Sequence, residues 1–160
     1  MKKSITFSLV LFALMLTSSA FGQDWRSFTW DDYMTKFKIP SDFEVTTNTA
    51  EKFSATNGKI TLSIYPREDE NLEWDEMEDA LQKWADDNEV ENQTEIIELD
   101  EEKMNGYWGV LIEGTKNDYS VGQMLLVDPD FTEISLYVWV AYDSDQVDTV
   151  IEMLMSFEPM

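Results

Sequence analysis

Thr132–Tyr142 reads TEISLYVWVAY, and its pattern decides the fold. Ile134, Leu136, Val138, Val140 and Tyr142 alternate with Ser135, Tyr137, Trp139 and Ala141. The period is two, so the two sets lie on opposite faces of a sheet. Nearly every residue is β-branched or aromatic, the types that suit a pleated, buried surface. Both faces are largely apolar, so the segment predicts a central strand with a layer covering each side. Two readings follow for the second set. Either its rings are core, or Tyr137 and Trp139 line an open aromatic groove that binds a ligand.

Working outward, the neighbouring segments read as a meander. Thr94–Leu99 is a strand, followed by the acidic run Asp100-Glu101-Glu102. Asn105-Gly106 marks a turn into the strand Tyr107–Thr115, with Trp108, Val110 and Ile112 on one face. Lys116–Asp118 turns, Tyr119–Val127 returns, and Asp128-Pro129-Asp130 turns again into the central strand. Such consecutive hairpins indicate an antiparallel sheet. Asp145–Phe157 is a helix with the stripe Val147, Val150, Ile151, Leu154 and Met155, capped by Ser144 or Asp145.

The N-terminal half has the same texture. Trp30, Tyr33, Met34 and Phe37 sit at helical spacing and predict a short helix over Trp30–Thr35. Lys36–Ile39 alternates and Pro40 closes it; Phe43–Thr47 is another strand. Lys52–Thr56 and Lys59–Tyr65 flank Asn57-Gly58, a two-residue hairpin turn in which both residues tolerate positive φ. Pro66 is expected to stop that strand. Glu73–Asn88 is the clearest helix, with Met77, Leu81, Trp84 and Ala85 as its apolar stripe and acidic residues crowding its first turns.

Composition bounds the function. Lys2 and Lys3 followed by the apolar Ile5–Leu16 and the small residues Thr17–Gly22 read as a secretory signal peptide, residues 1–22, too short to span a bilayer. Residues 23–160 are then one exported domain, periplasmic or secreted, with no membrane insertion. With no cysteine, a lipoprotein anchor is excluded, as are thiol catalysis and thiolate metal sites. With no histidine, the commonest general base and the commonest transition-metal ligand are missing too. Removing Lys2 and Lys3 from 11 basic residues leaves 9 against 33 acidic ones, a net charge of −24. That field repels nucleic acid and anionic lipid, and attracts cations or basic partners.

Candidate chemistry is sparse. A paired-carboxylate hydrolase of an envelope polymer is the enzymatic alternative, because Asp and Glu suffice for glycoside hydrolysis. Glu113, on the apolar strand VLIEG, is its one candidate acid. No cofactor is expected. Calcium is the exception left open by Glu68-Asp69-Glu70, Asp100-Glu101-Glu102, Asp128-Pro129-Asp130 and Asp143-Ser144-Asp145, none of which matches a D-x-D-x-D-G loop. The favoured reading is a non-catalytic binding or accessory module. Trp25, Trp30, Tyr137 and Trp139 are its candidate contacts to a protein or glycan partner in the cell envelope.

The order of elements also resembles a known family. "KFKIPSDF" precedes a hairpin and a helix, "NGYWG" opens the second strand of the meander, and "MSF" ends the terminal helix. Over about 37–157 the chain looks like the PsbP-like fold, shared by the photosystem II extrinsic protein, a Ran-binding nuclear import factor and many small exported bacterial proteins. The resemblance implies an α+β fold, an α/β/α sandwich around a mainly antiparallel sheet. It also implies binding or assembly roles rather than catalysis. Metal binding in plant members uses histidine, so no ligand carries over, and no Ran-binding residue is transferred.

Overall fold

The computed structural model describes residues 22–160. The expected signal peptide, 1–22, lies outside the described residues apart from Gly22. The order of elements is β1 (Trp25–Trp30), β2 (Thr35–Pro40), β3 (Glu44–Thr49), β4 (Lys52–Thr56) and β5 (Ile60–Glu68), then α1 (Met77–Asp87). The second half runs β6 (Ile97–Leu99), β7 (Trp108–Lys116), β8 (Tyr119–Asp128), β9 (Phe131–Tyr142), α2 (Val147–Leu154) and β10 (Glu158–Pro159). Seven strands form one antiparallel sheet in the order β3-β4-β5-β9-β8-β7-β6, and β1-β2-β10 form a second, smaller one. The fold is α+β.

The central strand is where its alternation places it. β9 pairs with β5 from Ile134 to Tyr142 on one side and with β8 on the other. Leu136, Val138, Val140 and Tyr142 join a core with Phe37 and Ile39 of β2 and Val150, Met153 and Leu154 of α2. Tyr137 joins a second core, where Met77, Leu81, Trp84 and Ala85 of α1 cover β7 and β8. The large sheet is thus sandwiched by α1 on one face and by α2 with the small sheet on the other. Among the described residues no helix is long and apolar enough to cross a membrane.

The N-terminal helix expected over Trp30–Thr35 is absent. That segment is a β-hairpin, with Trp25 opposite Pro40 and Trp30 opposite Thr35. A 3-10 turn at Asp31–Tyr33 joins the strands, and Met34 leaves it in the left-handed region at φ 49°. The helical spacing of Trp30, Tyr33, Met34 and Phe37 was a coincidence of two strands and a turn. Tertiary packing decides: Phe28 and Phe37 face each other at 5.4 Å, Phe37 meets Phe53 at 5.2 Å, and it stacks on Phe157 at 4.7 Å. A lone helix of one to two turns has no comparable stabilisation.

Other boundaries moved for local reasons. β5 runs through Pro66, which pairs with Leu136. β4 pairs with β5 only as far as Ile64, so Pro66 stands at an unpaired edge where its missing N–H is tolerated. Between β4 and β5 only Gly58 has positive φ, 87°, while the Asn57 Oδ1 accepts the N–H groups of Lys59 (3.0 Å) and Ile60 (2.9 Å). Asn105 and Gly106 do both take positive φ, but as the end of a longer turn in which Gly106 N–H donates to Glu101 O. α2 stops at Leu154, and neither Ser144 nor Asp145 caps it with its side chain. The freed chain adds β10 to the edge of β2.

Gly114 on β7 marks the tightest backbone approach. A Cβ there would stand 2.5 Å from Val90 Cγ1 and 2.6 Å from Glu91 O. Glu91 and Thr115 exchange both backbone hydrogen bonds at this point, tying the segment after α1 to β7. Gly114→Ala is therefore expected to destabilise the fold by about 1–3 kcal/mol, the usual cost of overpacking. Urea unfolding followed by circular dichroism measures it, and an unchanged midpoint would refute the tight approach.

Candidate binding groove

The four aromatic residues singled out by sequence are split between the two faces of the large sheet. Trp30 is 2% exposed, with Tyr33 at 4.7 Å and Phe53 at 6.0 Å. Its indole N–H has no hydrogen-bond partner among the described residues. Trp25 is half-buried against the same core. Tyr137 and Trp139 lie on the α1 side, where Trp84 meets both edge-on at 5.1 and 6.2 Å. Tyr137 is 1% exposed; its hydroxyl donates to Glu70 Oε2 at 3.0 Å, and the Arg67 guanidinium covers its ring at 3.9 Å. Burial, then the Glu70 charge, pushes that hydroxyl well above the usual tyrosine value. Trp139 remains half-buried.

The carboxylates also stay apart. Among the described residues no three acidic groups are placed to hold a metal ion. Asp100, Glu101 and Glu102 border a shallow recess with Trp74 and Trp108, and Trp108 Nε1 donates to Glu101 Oε1 at 3.0 Å. Glu113 is half-buried on β7, its N–H donating to Thr94 Oγ1 at 3.1 Å.

A different feature draws apolar side chains to the surface. Met34 is 57% exposed, Phe131 52% and Met160 50%, and all three line one groove of about 480 Å³. That volume falls within the range of small-ligand sites, about 300–1,000 Å³. Tyr33 and Ile134 and the more deeply buried Tyr107 and Leu136 also line it; Asp32 and Asp128 are its charged residues. Three pieces of chain build it. The 3-10 turn delivers Tyr33 and Met34, the β8–β9 turn delivers Asp128 and Phe131, and the Met160 N–H is anchored to Met34 O at 2.8 Å. Asp130 N–H donates to Asp128 Oδ1 at 2.9 Å and holds the second turn.

Both tyrosine hydroxyls of the groove are engaged within the protein. The Tyr33 hydroxyl donates to Ala50 O. Burial, then the charges of Glu68, Asp32 and Glu51, raises its pKa. Burial pushes the Tyr107 hydroxyl up to about 12, opposed by a hydrogen bond with Thr35 and helped by the Asp128 charge. Sequence reasoning missed this groove, although a signal exists. Asp31-Asp32-Tyr33-Met34 and Asp128-Pro129-Asp130-Phe131 are both acidic turns that end on a large apolar residue.

Comparison with solved structures places the architecture. CyanoP, the cyanobacterial PsbP from Synechocystis, superposes with a TM-score of 0.60 at 10% identity, over 90% of this chain and 98% of that one. The fold is PsbP-like. The Saccharomyces cerevisiae Ran-binding protein Mog1p matches at a TM-score of 0.55 and 11% identity, over 86% of this chain and 96% of its own. A Bacteroides thetaiotaomicron protein matches at 0.51 and 10% identity, over 84% of this chain and 48% of that one. No family model matches the sequence, and no curated protein does. At these identities the PsbP-like likeness is one of fold.

The buried tyrosines give a pH prediction. Tyr142, like Tyr107, is pushed up to about 12, by burial and then by the Glu113 charge. A phenol whose folded pKa lies above its unfolded value of 10 stabilises the fold fully below pH 10, and that contribution is lost as pH rises through about 12. Two units correspond to about 2–3 kcal/mol for each residue. The urea midpoint is expected to fall between pH 10 and 12 in step with tyrosinate absorbance, and to fall less in Tyr107→Phe. A midpoint flat across that interval would contradict this placement of the rings.

Proposed function

We propose that this protein is an exported, non-catalytic binding module that holds a partner protein of the cell envelope through the groove around Met34 and Phe131. The observation that carries the reading is the convergence of exposed apolar side chains. Five large hydrophobic residues are markedly exposed among the described residues, and three of them share this one groove. Single exposed apolar residues are ordinary, whereas a contiguous set marks an interaction surface. Export rests on the pattern of Lys2, Lys3 and Ile5–Leu16. A solved protein of the same fold is named for binding the protein Ran, which agrees with a binding role for the scaffold. The hydrolase alternative draws less support here, because the groove is lined mainly by apolar side chains and Glu113, its candidate acid, is not among them.

The test is site-specific photo-crosslinking in the cells that make the protein. A photoreactive phenylalanine replaces Phe131 in one strain and Tyr119 in another. Tyr119 is equally exposed, at 55%, but stands at the opposite end of β8. One dominant protein adduct is expected from position 131 and none from 119. Identical adduct patterns from the two positions, or none from 131, would overturn the reading.

A further inference from the structure

We infer that the occupant of this groove is a cationic peptide segment carrying a large apolar anchor. The inference rests on the binding role assigned to the groove above and adds the chemistry of the partner.

Charge supplies the first argument. Neither Lys nor Arg lines the groove, while each of the two turns that build it brings acidic residues: Asp31 and Asp32 on one, Asp128 and Asp130 on the other. Glu133 follows two residues after Phe131 and is exposed. The chain as a whole carries a net −22. A second copy would bring the same acidic turns against these, and an anionic lipid surface or a nucleic acid would be repelled likewise. A basic segment is attracted on approach by the carboxylates that both turns bring to the groove.

Hydrogen bonding supplies the second. The two tyrosine hydroxyls of the groove are already engaged, Tyr33 with Ala50 O and Tyr107 with Thr35. A sugar, which needs many directed polar contacts, finds little there to bond. An apolar side chain needs none. It requires contact area, which the exposed Met34, Phe131 and Met160 and the half-buried Ile134 offer. Met34 and Met160 are unbranched and polarisable, so their side chains adjust to anchors of different shape.

Fluorescence anisotropy on the purified protein tests the inference. The probe is a labelled hexapeptide with a central Leu-Phe pair flanked by two lysines on each side. Two comparators replace either all four lysines by glutamate or the Leu-Phe pair by two serines. At about 0.15 M salt the probe is expected to bind about tenfold or more tightly than either comparator. Phe131→Ser should cost about tenfold in affinity for the probe, and Tyr119→Ser should leave it unchanged. Equal binding by the serine comparator, or no effect of Phe131→Ser, would reduce the result to attraction between a polycation and a polyanion and overturn the inference. Equal binding by the glutamate comparator would refute the cationic partner while leaving the groove as a docking site. A clean adduct from position 131 in cells, together with no binding of the probe, would likewise retire the peptide chemistry and spare the binding role. Loss of both would end the two together.

Discussion

Burial of β9 on both faces is the constraint from which the rest of the structure follows. Leu136, Val138 and Val140 point into one core and Tyr137 into the other, so the middle of the strand is closed to water on both faces. Fully burying such a side chain contributes about 1.5–3 kcal/mol, and the gain needs a cover on each side. α1 provides one cover. The other face is too broad for the eight residues of α2 alone, and the small sheet completes it. A chain that contains no cysteine must stabilise its domain in this way, through core area rather than cross-links.

Phe37 is the hinge between that constraint and the groove. It lies 4.7 Å above Phe157 and 5.2 Å from Phe53, so one ring joins the small sheet, the segment after α2 and the large sheet. Its stacking fixes β2 in register, and β2 in turn receives β10 along Lys36 and Thr35. The Met160 N–H then reaches Met34 O, and the end of the described chain closes against the turn that starts β2. The groove therefore stands on packed elements, although its exposed residues sit at a turn, at the start of β9 and after β10. A site on loops held by a rigid scaffold is the common arrangement for binding surfaces.

What the sequence made legible was the part governed by period. The alternation of Ile134–Tyr142 matches the observed partition between the two cores, with Ser135 and Trp139 on the same face as Tyr137. The stripe Met77, Leu81, Trp84 and Ala85 is the buried face of α1 without exception. Period failed where elements were short. Trp30, Tyr33, Met34 and Phe37 fit a helix on spacing alone, and only packing against Phe53 and Phe157, distant in sequence, reveals why they fall on two strands and a turn. β10, two residues long, carries no periodic signal at all. The groove was illegible for the same reason. Its walls come from positions 34, 131 and 160, brought together by pairing that no local pattern encodes.

The aromatic residues that stand out in the sequence and the apolar residues that stand out at the surface are different sets, and physics separates them. Large rings such as Trp30 and Tyr137 bury the most area and are drawn into the core even where, as for the Trp30 indole, a polar atom goes unpaired. Exposure of Met34 and Phe131 has the opposite sign. Neither turn requires a large apolar side chain, since Asp, Asn, Gly and Ser serve turns at lower cost in exposed area. Met34 even adopts positive φ, a conformation that asparagine or glycine would take with less strain. A residue that fits its backbone poorly and leaves its side chain in water contributes little to the stability of the fold. Its presence accords with the binding role proposed for the groove.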